Sequence, residues 1–267
     1  MVDYQTIKWE RDENLATLRL NRPSIANAFD DVMIAEMNSA LASAKEDKSI
    51  RALVLTGEGR SFCAGADLNW MRKMKNYSYE ENLKDALALA ELMYNIHTFP
   101  RPVIGRINGA AIGGGTGLVA ACDIVIASKE AVFSFSEVKI GLVPACISPY
   151  VVMRVGLSRA NRLFLTGDRF KAKTARKMGL VDNVADEEDL DEAVDFAINQ
   201  VMFSGPEAMA ISKELLRKVG NYDFEYLKQY TAEVIAKLRI SEEGQEGLSA
   251  FLEKRKPRWV RDGAKGN

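Results

Sequence analysis

Residues 103–123 read VIGRINGAAIGGGTGLVAACD, and this stretch decides the fold. An apolar strand pattern at 103–107 leads into a run of glycines, and a helical pattern leaves it. Consecutive glycines at a strand-to-helix turn let a ligand approach the backbone closely. They also leave amide N–H groups free where the helix dipole favours negative charge. The stretch predicts either an anion-binding turn or a helix packed tightly on a sheet, and taken alone it favours neither.

The glycine spacing argues against a nucleotide phosphate as the anion. The dinucleotide pattern G-x-G-x-x-G is not matched. When the pattern starts at Gly113, Leu118 occupies the place of its third glycine, and when it starts at Gly57, Phe62 does. A second loop of small residues, SFCAGADL at 61–68, follows a predicted strand at 52–56 directly. Two such loops can close on one ligand atom, which favours an oxyanion hole made of backbone amides.

Strand and helix signals alternate in the first half of the chain, and helical patterns dominate beyond residue 145. The pattern predicts strands at 15–20, 52–56, 103–107, 123–127 and 131–135. Asp30 is expected to cap a helix whose buried face carries Met33, Ile34, Met37, Ala40, Leu41 and Ala44. Ser78 and Glu81 form a capping box for a helix that reaches about His97. Two final helices are expected at 224–239 and 242–253.

The composition excludes several classes of function. The 267 residues carry a formal net charge of −1, which gives no general attraction to nucleic acid or an anionic membrane. One histidine, His97, excludes sites that need two imidazoles, and we expect no metal site. The longest uncharged run, 107–122, is shorter than a membrane span, and the first ten residues do not resemble a signal peptide. We therefore expect a cytoplasmic protein without a membrane or nucleic-acid partner.

An ordered set of motifs resembles the crotonase (enoyl-CoA hydratase/isomerase) superfamily along essentially the whole chain. It comprises FCAGADL at 62–68, PVI at 102–104, NG at 108–109, GGG at 113–115, CD at 122–123, LTGD at 165–168, GLV at 179–181 and FLEKRKP at 251–257. The resemblance implies an α/β fold with a spiral core of ββα turns over residues 1–200. It assigns residues 201–267 to a C-terminal helical region used in trimerisation. It also implies an acyl-CoA substrate, no cofactor beyond its coenzyme A moiety, and a homotrimer or dimer of trimers.

The same resemblance implies the site. The thioester carbonyl of the acyl-CoA is expected to lie between the backbone amides of Ala66 and Gly114. Bent coenzyme A is expected over the loop 62–68, beside a second loop at 26–29. The basic run 254–256 matches a phosphate contact of some relatives, although a solvated helix end explains it as well. The implied substrate-binding residues are Ala28, Ala64, Asp67, Leu68, Gly113, Gly117, Ser136 and Lys254.

The resemblance implies that Glu137 is the acid–base group, because GLVP at 141–144 follows it as in the family. Hydratases of the family usually hold an earlier second glutamate, but Gly117 occupies that position here. Thr116 is able to hydrogen-bond a water but is not a strong base. We expect the space freed at Gly117 to admit a branched acyl group. Residues 146–148 also replace a glycine-rich turn of many relatives, which alters the acyl pocket.

Several functions remain open at this stage. In the first, Glu137 alone hydrates an enoyl-CoA, and residues 115–123 and 142–151 resemble the methylglutaconyl-CoA hydratase-like subgroup. In the second, the protein is a double-bond isomerase, because a 1,3 proton shift needs one carboxylate. In the third, it is a decarboxylase or a thioester hydrolase. The fourth is a non-catalytic acyl-CoA-binding or structural subunit.

Overall fold

The computed structural model describes residues 3–220 and 222–260. The strands in these ranges are β1 (Ile7–Asp12), β2 (Leu15–Leu20), β3 (Ala52–Gly57), β4 (Val103–Ile107), β5 (Ala111–Ile112), β6 (Ile124–Ser128), β7 (Val132–Ser134), β8 (Phe170–Lys171) and β9 (Asn183–Ala185). The helices are α1 (Asp31–Glu46), α2 (Leu68–Met74), α3 (Tyr79–Thr98), α4 (Gly114–Ala121), α5 (Ser148–Val155), α6 (Leu157–Thr166), α7 (Ala172–Met178), α8 (Leu190–Met202), α9 (Pro206–Val219), α10 (Phe224–Ile240) and α11 (Glu242–Leu252).

The larger sheet has the strand order β1-β2-β3-β4-β6-β9 in the described part of the chain. β1 and β2 form an antiparallel hairpin, and every later pairing in this sheet is parallel. The predicted strands at 15–20, 52–56, 103–107, 123–127 and 131–135 are confirmed, with ends shifted by one residue at most. β1 and β9 of this sheet were not predicted from the sequence. β1 is polar and mostly exposed at the sheet edge, and β9 is only three residues long.

A smaller sheet holds the glycine-rich turn. β5 belongs to the glycine-rich stretch 103–123 and pairs in parallel with β7, so that Ala111 lies beside Phe133 and Ile112 beside Ser134. β7 pairs in turn with β8 in antiparallel fashion. The glycines therefore begin α4 directly after a strand whose position is set by two neighbouring strands.

The apolar face of α1 matches the predicted one in every buried residue. The Asp30 side chain accepts a hydrogen bond from the amide of Met33 at 3.0 Å and caps the helix. The predicted capping box of α3 is also present, because Ser78 accepts from the Glu81 amide and Glu81 accepts from the Ser78 amide. α1 and α3 pack against each other.

Both faces of the larger sheet are covered, which explains the nearly continuous apolar strands in its centre. On one face, Met33, Leu55 and Phe62 belong to a large buried core shared with α1, α3 and α4. On the other face, Val54 and other apolar side chains of β3, β4 and β6 pack against α8. α4, which carries the glycines at its start, is buried over almost its full length.

The C-terminal helices differ from this core because they expose large apolar side chains. The final helices predicted at 224–239 and 242–253 are confirmed as α10 and α11, with each C-terminal end shifted by one residue. The exposed side chains include Leu216, Phe224, Ile240, Phe251 and Leu252. α8 continues to Met202, so the predicted boundary after residue 200 falls within a helix. The trimerisation role of residues 201–267 stays a prediction, and 261–267 lie outside the described residues.

None of the helices in the described ranges is both long enough and apolar enough to span a membrane.

Replacing Ser78 with Ala tests the capping box of α3. The variant loses the acceptor for the Glu81 amide, so we expect the free energy of unfolding to fall by about 1 kcal/mol. Urea titration measures this, and Ser78→Asp, which keeps a capping acceptor, is the control. Equal stability of Ser78→Ala and wild type would contradict the structural role of the cap.

Candidate active site

Three backbone segments converge beside the start of α4. The segment at Phe29 and the loop 62–68 form a parallel bridge. The Phe29 amide donates to the Gly65 carbonyl at 2.8 Å, and the Asp67 amide donates to the Phe29 carbonyl at 2.9 Å. On its other side, the same loop bonds to the β5 region, where the Ile112 amide donates to the Cys63 carbonyl at 2.9 Å. The loop 62–68 therefore lies between the two segments and is held by both.

Small residues are required where these segments touch. A Cβ atom added at Gly115 would overlap the Cys63 carbonyl oxygen, and one added at Gly65 would lie 2.9 Å from the Ile112 carbonyl oxygen. Gly65 also has a φ of +92°, in the region that favours glycine. Tight backbone packing therefore accounts for part of the glycine pattern, as the packing interpretation predicted.

The amides of Ala66 and Gly114 remain free for a ligand. The neighbours of Ala66 on both sides bond to Phe29, so the Ala66 N–H points to the other side of the chain. Gly114 is the first residue of α4, where an N–H has no partner within the helix. Neither N–H donates to an acceptor among residues 3–220 and 222–260.

Phe29 contacts the chain at both of these positions. Its backbone pairs with the strand segment at Ala66, and its ring lies directly against Gly114. A Cβ atom at Gly114 would overlap Phe29 Cζ and lie 2.9 Å from Cε1. Phe29 thus contacts Ala66 through its backbone and Gly114 through its ring, and the two unpaired N–H groups belong to segments that meet at this residue. An oxyanion hole requires two such donors. The family resemblance indicated residues 26–29 as a coenzyme loop, but no sequence motif indicated a role for the Phe29 ring.

Glu137 lies beside the same turn. It belongs to the 3-10 helix Ser136–Ile140, and its Oε1 lies 3.1 Å from the position that a Cβ atom of Gly113 would take. Gly113 has a φ of +54°, and its missing side chain leaves room for the carboxylate. Oε2 of Glu137 is buried and has no hydrogen-bond partner within the described residues. Burial raises the pKa of Glu137 above its ordinary value, and a hydrogen bond from its own backbone opposes this only in part.

The expectation of free space at Gly117 is wrong. A Cβ atom at Gly117 would overlap Cγ2 of Ile147 and lie 2.7 Å from its Cβ. The isoleucine side chain is buried and occupies the volume that a side chain at residue 117 would take. Thr116 does not offer its hydroxyl to water either, since the buried hydroxyl donates to the Ala111 or Ser134 carbonyl at 2.6 and 3.0 Å.

Arg22 joins the two loops of the site, and no sequence motif indicated this role. Its guanidinium donates to the Ala28 carbonyl at 2.8 Å and pairs with Asp30 and Asp67 at 2.9 Å each. Asp67 caps α2 by accepting from the amides of Asn69 and Trp70. Burial alone would raise the pKa of Asp67, but these hydrogen bonds and Arg22 outweigh it and lower that pKa. In this structure Asp67 and Ala28 support the loops through these contacts.

The remaining predicted substrate-binding residues lie at different distances from this turn. Ala64 is exposed in the loop 62–68, and Leu68 begins α2 with an exposed side chain. Ser136 directly precedes Glu137. Lys254 is exposed just beyond α11, and no contact recorded for the described residues joins it to the glycine-rich turn. Binding of substrate by these residues stays a prediction.

A separate cavity of about 240 Å³ lies at the opposite end of α4, and His97 borders it. The imidazole packs edge-on against Tyr150 with ring centres 5.3 Å apart. Burial lowers the pKa of His97, which keeps the ring neutral near pH 7. The cations Lys213 and Arg154 in this cavity are bonded to Asp123 or its carbonyl. His97 therefore packs beside this cavity, at the end of α4 away from the glycine-rich turn.

Comparison with known proteins gives the family. The family model of enoyl-CoA hydratase/isomerase matches residues 10–262. The chain is 31% identical over 260 residues to the crotonyl-CoA hydratase of Syntrophomonas wolfei, covering 96% of this chain and 98% of that relative. It is 42% identical to a solved enoyl-CoA hydratase from Shewanella pealeana, with a TM-score of 0.92 and 96% of both chains covered. A solved enoyl-CoA hydratase/isomerase from Marinobacter aquaeolei is 35% identical, with a TM-score of 0.91 and 96% and 99% covered.

The chain therefore belongs to the enoyl-CoA hydratase/isomerase family. The expected superfamily and its α/β fold are confirmed by this match and by the structural superpositions. The roles of individual residues in binding and catalysis, which the resemblance implies, stay predictions.

The buried carboxyl group of Glu137 predicts a dependence of stability on pH. A carboxyl group whose pKa is raised by folding stabilises the fold while protonated, and this contribution is lost as the pH rises through the raised pKa. We expect Glu137→Gln to unfold at a higher temperature than wild type at pH 8. The difference between the two unfolding temperatures shrinks as the pH falls toward 4.5, the ordinary pKa of a glutamate.

Calorimetry at a series of pH values measures this difference. Glu130→Gln, which changes an exposed glutamate in the turn between β6 and β7, is the control and should follow wild type. A Glu137→Gln variant that is less stable than wild type at pH 8 would show that the carboxylate is stabilised by partners rather than strained by burial.

Proposed function

We propose that the protein adds water across the 2,3 double bond of an enoyl-CoA. The observation that carries this proposal is that two segments with unpaired backbone N–H groups, at Ala66 and Gly114, converge at the turn that Glu137 borders, and that Oε2 of Glu137 has no hydrogen-bond partner within the described residues. Donors of this kind stabilise an oxygen that gains negative charge, and a nearby carboxylate moves protons. The hydratase names of the relatives from Syntrophomonas wolfei and Shewanella pealeana support the same reaction.

The reaction follows from this geometry. The thioester carbonyl oxygen accepts from the amides of Ala66 and Gly114, which draws electrons away from C3. Glu137 removes a proton from water while the water oxygen bonds to C3, and the electron pair of the double bond moves onto the thioester oxygen as an enolate. Glu137 then returns a proton to C2, and the carbonyl re-forms. Because burial raises its pKa, Glu137 is better suited to both accepting and returning a proton than an exposed glutamate is.

A Δ3,Δ2-enoyl-CoA isomerase is the second candidate, and the surroundings of Gly117 favour it. Ile147 fills the space where a second carboxylate would stand, and the Thr116 hydroxyl is bonded to backbone carbonyls. A 1,3 proton shift requires one group that removes a proton from C2 and returns it to C4. Glu137 is able to perform that transfer above the same stabilised enolate.

The coenzyme is proposed to lie over the loop 62–68, with the exposed Ala64 and Leu68 facing it. Lys254 is proposed to contact a coenzyme phosphate, and its exposed ammonium group is compatible with this role. A methylglutaconyl-type acyl group, which is branched at C3, rests only on the resemblance at 115–123 and 142–151, and the packing of Ile147 against Gly117 argues against it. We propose no cofactor beyond the coenzyme A moiety of the substrate.

Glu137→Gln tests the proposed reaction. Gln keeps the shape of the side chain but accepts no proton, so we expect turnover of crotonyl-CoA to fall by about 10²–10⁴-fold with acyl-CoA affinity retained. Loss of the enoyl-thioester absorbance measures hydration. The appearance of that absorbance from a 3-enoyl-CoA measures isomerisation.

Wild type that acts only on the 3-enoyl-CoA would replace the hydratase proposal with the isomerase. Wild type that binds both thioesters tightly and converts neither would favour the non-catalytic binding subunit. Normal turnover by Glu137→Gln would overturn the role of this carboxylate.

Self-association through the C-terminal helices is also proposed, as a trimer or a dimer of trimers. Large apolar side chains that are mostly exposed on one chain mark a surface that another chain covers. Phe251 and Leu252 at the end of α11 are 82% and 77% exposed, and Ile240 at the end of α10 is 81% exposed.

Phe251→Glu is expected to weaken this association, because a buried charge without a partner is strongly unfavourable. Light scattering coupled to gel filtration measures the mass, and multiples of three chains of 29.6 kDa are expected for wild type. Glu225→Gln, which changes an exposed charge on α10, is the control. A monomeric wild type would contradict the proposed assembly.

A further inference from the structure

Ile147 supplies a side chain to a place on α4 where the helix itself has none. The overlap with a Cβ atom at Gly117 means that the two positions share one volume. Ile147 is 3% exposed, so the volume is filled and closed to solvent. The glycine is therefore not a vacancy in the site, and the local shape is determined by a residue of another segment.

This shared volume lies close to the proposed acid–base group. The amide of Gly117 donates to the Gly113 carbonyl at 3.2 Å, so the two glycines stand one helical turn apart. The Gly113 position faces Oε1 of Glu137, and the Gly117 position is filled by Ile147. The Ile147 methyl groups and the Glu137 carboxylate therefore border the same first turn of α4.

The backbone holds Ile147 rigidly in this position. It directly precedes α5, and its carbonyl accepts from the Val151 amide at 3.2 Å. The turn before it is closed by the Ser148 amide, which donates to the Ala145 carbonyl at 3.1 Å. α5 packs against α4, and a β-branched side chain has few rotamers to choose from. Ile147 is therefore a fixed apolar wall rather than an adaptable one.

We propose that Ile147 is a specificity-determining residue, which closes the site beside Gly117 and selects acyl-CoA thioesters that are unbranched at C3. The inference rests on the proposed function, since it takes acyl-CoA thioesters as the substrates. A methyl branch at C3 requires additional space near the acid–base group, and the Ile147 side chain occupies that space. One methylene in an apolar pocket changes discrimination by roughly 10–200-fold.

Ile147→Val and Ile147→Ala test this specificity role by shortening the side chain of residue 147 in two steps. Calorimetry gives the dissociation constants of butyryl-CoA and of isovaleryl-CoA, which is branched at C3. We expect wild type to prefer butyryl-CoA, and Ile147→Ala to shift the ratio toward isovaleryl-CoA by about tenfold or more. Ile147→Val falls between them. Ile126→Ala and Ile126→Val remove equal volumes from a buried isoleucine on the far face of the sheet and should leave the ratio unchanged.

A second measurement tests the shared volume itself and needs no acyl-CoA. Gly117→Ala alone should lower the unfolding temperature, because its Cβ meets Ile147. The double variant Gly117→Ala/Ile147→Ala should be more stable than the sum of the two single effects predicts. Additive effects would mean that Ile147 does not occupy this volume, and would overturn the inference.

The outcomes separate this inference from the proposed function. If wild type converts crotonyl-CoA but the ligand ratio is the same in Ile147→Ala, the specificity role fails and the proposed function stands. If the ratio of the two dissociation constants shifts in Ile147→Ala while wild type converts neither crotonyl-CoA nor a 3-enoyl-CoA, the proposed function fails. The specificity role of Ile147 is then supported. If wild type binds neither acyl-CoA, both are overturned.

Discussion

Direct contact between backbone segments is the constraint on which the rest of this structure depends. The loop 62–68 lies against β5 and the start of α4 so closely that a side chain at Gly65 or Gly115 would strike a carbonyl group. The hydrogen bonds of this contact satisfy the neighbouring backbone groups and leave the Ala66 and Gly114 amides without acceptors in the described part of the chain. The same glycines that tighten the fold thus create the polar groups on which the proposed chemistry relies.

A buried carboxylate beside this turn sets stability against activity. Oε2 of Glu137 is buried, and no cation in the described residues forms an ion pair with the carboxylate. Desolvation therefore disfavours the charged form that a proton acceptor needs. Arg22 forms ion pairs with Asp30 and Asp67 in the adjoining loops. Its positive charge therefore stabilises those two carboxylates and not Glu137. The site thus contains two kinds of carboxyl group, one whose charged form is stabilised by partners and one whose charged form is disfavoured by burial.

Sequence patterns predicted those parts of the molecule that depend on neighbours along the chain. The buried face of α1, the capping box of α3 and the central strands all follow local periodicity, and each is present. The resemblance to a family then indicated Glu137, which composition alone would leave as an ordinary loop acid. The roles of Arg22, Phe29 and Ile147 depend on contacts between distant segments, so no local pattern reveals them. The overlap of Ile147 with the Gly117 position reversed the expectation of an open pocket.

The pairing of Gly117 with Ile147 also restricts the order in which this site can evolve. A larger residue at 117 is excluded while the isoleucine is present, because both would claim the same volume. Shortening residue 147 first leaves an empty space that costs stability but keeps the fold accessible. A lineage that gains a carboxylate on this turn must therefore shorten residue 147 beforehand, whereas one that loses it enlarges residue 147 only afterwards. The two positions are expected to vary together among the descendants.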